Sequence, residues 1–220
     1  AGYVQGRLIA DLKLPPFLVT LGGLFVFQGF ATLLAEGSMQ SASPLLAGLV
    51  RWNFKLGDAL VSLPTVLFVV SAVILAWVAR QTLFGRTSLA IGGDATSAMQ
   101  MGLPVRRTTI GVYALSGFTA AVAGLIFVLY TGSGDPISGT GRELEAISAV
   151  VIGGTLLRGG RGSIFGTVLG VLTIGIIQMA VIFDGTLSAW WARIVIAALL
   201  GLFLVAQSLL GEGRRKAAAA

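Results

Sequence analysis

The stretch TTIGVYALSGFTAAVAGLIFVLY, residues 108–130, runs 23 residues without one charged side chain. At 1.5 Å per residue a helix of that length is about 35 Å long, enough to cross a hydrocarbon core of about 30 Å. Working outward, PFLVTLGGLFVFQGFATLLA (16–35) and ALVSLPTVLFVVSAVILAWVA (59–79) read as spans ahead of it. Residues 164–183 and 189–210 read as spans behind it. Pro64 falls near the start of its span, where a missing N–H costs least. ELEAISAVVIGGTLL (143–157) is apolar but short, opens on glutamates and contains Gly153-Gly154. It reads as a short or broken helix sheltered by neighbours, because lipid does not tolerate irregular backbone. The expected fold is therefore all-α, a multi-span transmembrane helical bundle of about six crossings, in a single domain over residues 1–220.

Composition agrees. Of 220 residues, 55% are hydrophobic and 11% charged, with mean hydropathy +0.92; a soluble domain carries about 25% charged residues. Fifteen basic against nine acidic residues give a net charge of +6. In so apolar a chain that excess belongs to cytoplasmic loops, not to a nucleic-acid surface. Cysteine and histidine are both absent, which removes disulfides, thiolate nucleophiles and the commonest general base and metal ligand. The glycine cluster GGRGS (159–163) lacks the lysine of a phosphate loop and reads as a tight connection. No catalytic residue, metal site or cofactor is expected. The opening AGYVQGRLIADLK has no basic region ahead of an apolar one, so it is no signal peptide and reads as a start within a longer chain.

Orientation follows from the basic residues. With the loop at 80–107 in the cytoplasm, the inner side holds Arg7, Lys13, Arg80, Arg86, Arg106, Arg107, Arg158, Arg161, Arg214, Arg215 and Lys216. The outer side holds only Arg51, Lys55, Arg142 and Arg193. Eleven against four is a strong positive-inside asymmetry, and it places the C-terminus in the cytoplasm. Small residues recur four apart at Ser116, Ala120 and Gly124, and at Gly166 and Gly170, a spacing that lets helix backbones approach closely in lipid.

Between the second and third spans the chain reads AIGGDATSAMQMGLPVRRTTI (90–110). Asp94 suits an N-cap, residues 95–101 make two helical turns, Gly102 suits a left-handed C-terminal position and Pro104 prevents continuation. Ala95, Ala98, Met99 and Gly102 share one shallow face, with Met99 and Met101 as deformable apolar knobs. The pattern specifies a short, capped cytoplasmic helix, either docked on a partner or solvated at the interface.

At these residues the chain resembles a known family. AIGGDATSAMQMGLPVRR is similar to the coupling loop of bacterial ABC-importer permeases, with Asp94 where asparagine is usual and Ser97 where an alanine is usual. LKLPPFLVTLGGLFVFQG (12–29), ELEAISAVVIGGTLLRGGRGSIFGTVLG (143–170) and FDGTLSAWWARI (183–194) extend the resemblance over nearly the whole chain. The general pattern resembles the ribose/xylose-type sugar permeases. The wording at 92–102 and 183–191 is most similar to permease subunits of galactofuranose importers.

The resemblance implies a bacterial inner-membrane permease that pairs with a second permease subunit, in a homo- or heterodimer. It also implies two cytoplasmic ATP-binding subunits and a periplasmic sugar-binding protein, and leading transmembrane helices that this chain does not include. Asp94, Ala95, Ala98, Met99, Gly102, Leu103 and Pro104 would form the ATPase-coupling surface. Arg51, Lys55, Arg142 and Arg193, the last beside Trp190 and Trp191, would meet the binding protein.

Two other classes compete. An ion-coupled secondary transporter needs an ionisable group near the membrane midplane, yet spans 16–35, 59–79, 108–130 and 164–183 contain no Asp, Glu, Lys or Arg. A channel or structural membrane subunit is the other alternative. A substrate path is expected from polar span residues, foremost Thr20, Gln28, Tyr113, Ser116 and Gln178, with Thr32, Ser71, Thr119 and Thr173 beside them. Ordinary interhelical hydrogen bonding, worth about 0.6 kcal/mol, accounts for the same residues. Hydroxyls and amides without charge suit a neutral sugar or polyol better than an ion, and the soluble binding protein would do the selecting.

Overall fold

A computed structural model describes residues 1–35, 37, 39–40, 53–56, 59–157, 159–184, 191, 193–203 and 205. The first helix, α1 (Gly2–Leu12), ends at Lys13 in a left-handed conformation. After it, α2 (Pro16–Leu34) starts on a proline and buries none of its residues. Two short antiparallel pairings follow. β1 (Met39–Gln40) pairs with β4 (Ser133–Gly134), and β2 (Asn53–Leu56) pairs with β3 (Ala59–Ser62), Asn53 opposite Ser62. Next come α3 (Leu63–Gln81), α4 (Leu83–Gly93), α5 (Ala95–Gln100) and α6 (Val105–Thr131). The series closes with α7 (Arg142–Ile152), α8 (Ile164–Asp184) and a shorter apolar helix α9 (Arg193–Phe203).

Among the described residues, α2, α3, α6 and α8 are long and apolar enough to cross a membrane. The fold is an all-α, multi-span helical membrane protein. Two features differ from the sequence reading. The second span starts at Leu63 rather than at residue 59, because residues 59–62 pair as a strand and Pro64 sets the first helical turn. The segment expected at 143–157 is helical only to Ile152, where Gly153 and Gly154 end it. Its 11 residues extend about 16 Å, half the hydrocarbon core.

The chain divides into two compact units, Ala1–Ile91 with Ala95–Gly139, and Gly92–Asp94 with Thr140–Ala220. In the first, α1 lies directly on α6. A β-carbon at Gly2 would collide with the Tyr113 carbonyl, and one at Gly6 would come within 3.0 Å of the Ile110 Cα. Gly117 faces Gly2, so the contact uses the glycine between the expected small residues Ser116 and Ala120. Gly124 has nothing within 4 Å of a built β-carbon. Thr82 makes the corner between α3 and α4. Its hydroxyl donates to the Val78 carbonyl at 2.6 Å and accepts from the Gly85 N–H at 3.2 Å, satisfying one helix end and starting the next.

In the second unit α7 and α8 form a helical hairpin. A β-carbon at Gly166 would collide with the Gly153 carbonyl, and one at Gly170 with the Ala149 carbonyl. Here the expected small-residue pair Gly166 and Gly170 does bring two backbones together, as close packing in lipid requires. Ala149, Ile174 and Ile196 form a small core, with Ile152 packed against it.

Candidate functional site

The short helix between α4 and α6 ends as its sequence directs. Gly102 has φ +78°. Its N–H donates to the Met99 carbonyl at 3.0 Å, and the Leu103 N–H donates to the Ala98 carbonyl at 3.1 Å. This paired closure, with a glycine in the left-handed position, is a Schellman motif. It turns the chain into Pro104, whose ring starts α6 without a side-chain cap. Ala98 is fully buried, whereas Met99 and Met101 are 64% and 68% exposed. Ala95 and Met99 on α5, and Met101 and Gly102 just after it, are therefore exposed, while Ala98 is turned inward.

A two-pronged ion pair in the first unit sits at the start of α6. Arg106 donates through Nε to Asp11 Oδ1 at 2.6 Å and through Nη2 to Asp11 Oδ2 at 3.1 Å. Arg7 adds a bond to Oδ2 at 3.4 Å. The Arg106 hydrogen bonds, more than any other cause, hold the Asp11 carboxyl below its ordinary range. A carboxyl depressed in this way contributes stability above its ordinary pKa and loses it as pH falls through the lower folded value. Sequence reading missed Asp11, because nothing local pairs residues 95 positions apart.

In the second unit, Gly92 and Gly93 lie against Gly159 and Gly160. A β-carbon at Gly159 would collide with the Gly92 carbonyl, and one at Gly160 would lie 2.9 Å from the Gly93 Cα. Gly159 and Gly160 have φ of +87° and +78°, so glycine is required there for conformation as well as for space. The cluster read as a tight connection is that. The Leu156 N–H donates to the Arg161 carbonyl at 3.1 Å, and the Gly159 N–H to the Leu156 carbonyl at 3.0 Å.

Of the basic residues assigned to the outer side, Arg142 opens α7 and bonds Glu145 at 3.3 Å. Arg193 opens α9 and lines, with Glu145, Ser148 and Ile196, a cavity of about 180 Å³. The side chain of Lys55, and Arg51, Trp190 and the tail at 211–220, lie outside the described residues.

Among the polar span residues, Gln28 Nε2 donates to the Pro136 carbonyl at 2.9 Å and ties α2 to the segment after α6. Tyr113 lies beside Gly6, against α1. Ser116 is exposed, and its carbonyl accepts the Thr119 hydroxyl at 2.9 Å. Thr20, Thr32, Ser71 and Thr173 each donate to a carbonyl of their own helix. Thr20, Gln28, Tyr113 and Ser116 belong to the first unit, and Gln178, half-buried on α8, to the second.

Residues 1–204 match the family described as branched-chain amino acid transport system / permease component. The chain is 44% identical over 207 residues to the inner membrane ABC transporter permease protein YjfF of Escherichia coli K12, covering 94% of this chain and 62% of that protein. It is 35% identical over 225 residues to the fructose import permease protein FrcC of Rhizobium meliloti, covering 99% and 61%. With the ribose import permease protein RbsC of Bacillus subtilis the identity is 38% over 175 residues, covering 78% and 53%. The chain thus spans about three fifths of the length of such curated relatives. No solved structure matches it.

Proposed function

The chain belongs to the branched-chain amino acid transport system permease family, and we propose that it forms the membrane-spanning part of an ATP-driven sugar importer. Its relatives include proteins named for fructose and ribose import, and its four long helices offer no charged group to an ion-coupled cycle within residues 16–34, 64–79, 108–131 and 164–183. The observation that carries the reading is α5. It is a capped helix of six residues, too short to have a core of its own, with exposed methionines set immediately before a 27-residue apolar helix. Such a piece suits a groove on a cytoplasmic ATPase, where ATP-driven closure moves it as a lever.

On this reading the protein sits in a bacterial inner membrane. It pairs with a second permease and two ATP-binding subunits, and receives sugar from a periplasmic binding protein that does the selecting. Galactofuranose is the sugar we assign, from the resemblance at 92–102 and 183–191. The test is ATP hydrolysis and uptake by the full-length parent, assembled with these partners in proteoliposomes and offered labelled galactofuranose, ribose and fructose. Stimulated hydrolysis with uptake of galactofuranose supports the assignment. Uptake of another sugar corrects the substrate alone, and uptake that follows an ion gradient without ATP refutes the importer. In the same assembly, Lys55→Glu with Arg142→Glu should weaken binding-protein capture most at low salt, since rim charges chiefly set encounter rate.

Orientation has its own test. The chain has no native cysteine, and Ser97 is exposed on α5. Ser97→Cys should react with a membrane-impermeant maleimide in inverted vesicles and be protected in intact cells. Labelling from the outside of intact cells would reverse the assigned topology, the cytoplasmic C-terminus included.

A further inference from the structure

Asp11 and Arg106 each stand at the wrong end of their own helix. Asp11 lies in the last turn of α1, where the helix dipole disfavours a negative charge, and Arg106 is the second residue of α6, where it disfavours a positive one. On α1, Arg7 offers Asp11 a longer bond at 3.4 Å and Lys13 follows the helix end, whereas α6 has no acidic residue in its first turn and no side-chain cap at its start. Arg107 adds a second cation to the same turn. The two misplaced charges meet in a two-pronged bond, at 2.6 and 3.1 Å, across 95 residues of chain.

The packing beneath the pair makes this geometry consequential. Gly2, Gly6 and Gly117 let the backbones of α1 and α6 approach closely, and Ile9 on α1 and Thr108 on α6 are buried as well. Glycines at a helix contact offer no side chain to interlock along the axes. A planar guanidinium gripping both oxygens of one carboxylate adds an axial constraint to that contact, since the fork fits in one geometry. The grip lies at the end of α6 that follows the Schellman turn at Gly102, four positions past it.

We propose that Asp11 is a positioning residue for coupling. By holding Arg106 it locks α1 in register with α6, so that force entering at α5 moves both helices as one body. The inference rests on the permease reading and adds to it the element that moves with α6.

The test uses the full-length parent with its ATPases and binding protein in nanodiscs and proteoliposomes, in four forms besides wild type: Asp11→Asn, Asp11→Arg, Arg106→Asp, and the exchanged pair Asp11→Arg with Arg106→Asp. Spin labels at Leu12→Cys and Phe118→Cys, both exposed, report the separation of α1 and α6 with and without trapped nucleotide. In wild type that distance stays constant between the two states. In the single variants it broadens, and sugar taken up per ATP hydrolysed falls about three- to fivefold while hydrolysis continues. The exchanged pair restores both. Asp11→Asn keeps the shape of the side chain and so reports the charge even where a reversal impairs folding.

Single variants with unchanged distances and an unchanged uptake ratio overturn the inference and leave the permease reading intact. A wild type that imports no sugar with ATP overturns the permease reading. The distance measurement needs no transport and decides the lock in that case as well.

Discussion

Gly102→Trp, made in the full-length parent, is expected to leave membrane insertion intact and reduce ATP-driven uptake about tenfold or more. Two effects combine. A tryptophan at φ +78° carries the strain of a left-handed conformation, about 1–3 kcal/mol, and so loosens the turn that closes α5. Nothing lies within 4 Å of a β-carbon built there, so the indole projects outward, onto the face assigned to the ATPase. Gly102→Ala separates the two, because it keeps the strain and removes the bulk. Asp94→Lys should act in the same direction, since a lysine cannot accept from the first N–H groups of α5 and places a cation at the positive end of the helix. Insertion is measured by membrane fractionation, and coupling by uptake per ATP. Wild-type uptake in both Gly102→Trp and Asp94→Lys would remove α5 from the coupling surface.

The second large effect is on stability. Gly166→Leu places a branched side chain where even a β-carbon collides with the Gly153 carbonyl. Backbone cannot give way as a flexible side chain can, so α7 and α8 must separate. Overpacking of this kind costs about 1–3 kcal/mol, occasionally more. Gly175→Ala, in the same helix, is the matched control. Nothing lies within 4 Å of its β-carbon, so the substitution should be neutral or stabilising by up to about 1 kcal/mol through helix propensity. Denaturation in mild detergent, followed by circular dichroism or by proteolysis of the opened state, should order the variants Gly175→Ala, wild type, Gly166→Leu. Equal stability of Gly166→Leu and wild type would mean that α7 and α8 do not cross as closely as described.

Local features of the sequence carried over well. The uncharged runs marked α2, α6 and α8 to within a few residues, because the length of an apolar segment is a property of the segment alone. Gly102 after AMQM, with Pro104 beyond, announced the end of α5 for the same reason. What failed to show depends on register between distant elements. Residues 59–62 form a strand because residues 53–56 pair with them, although as an isolated run they continue the apolar span that follows. Ala98 looked like part of a docking face until packing turned it inward. The pairing of Asp11 did not show, since its partner comes from a helix that begins 94 positions later.

The span hydroxyls have a chemical consequence. A serine or threonine has a single hydrogen to give, and Thr20, Thr32, Ser71, Thr119 and Thr173 each spend it on a carbonyl one turn back in the same helix. What remains on each oxygen is its lone pairs. Any solute that meets these positions finds a surface able to receive hydrogen bonds and unable to return them. A polyol suits such a surface from any direction, because every hydroxyl it carries brings its own proton and can rotate to point it. A carboxylate or phosphate ester brings only lone pairs of its own, and lone pair against lone pair is repulsive. On the path we propose, such positions would favour a polyol over an anion without one charged side chain in the spans.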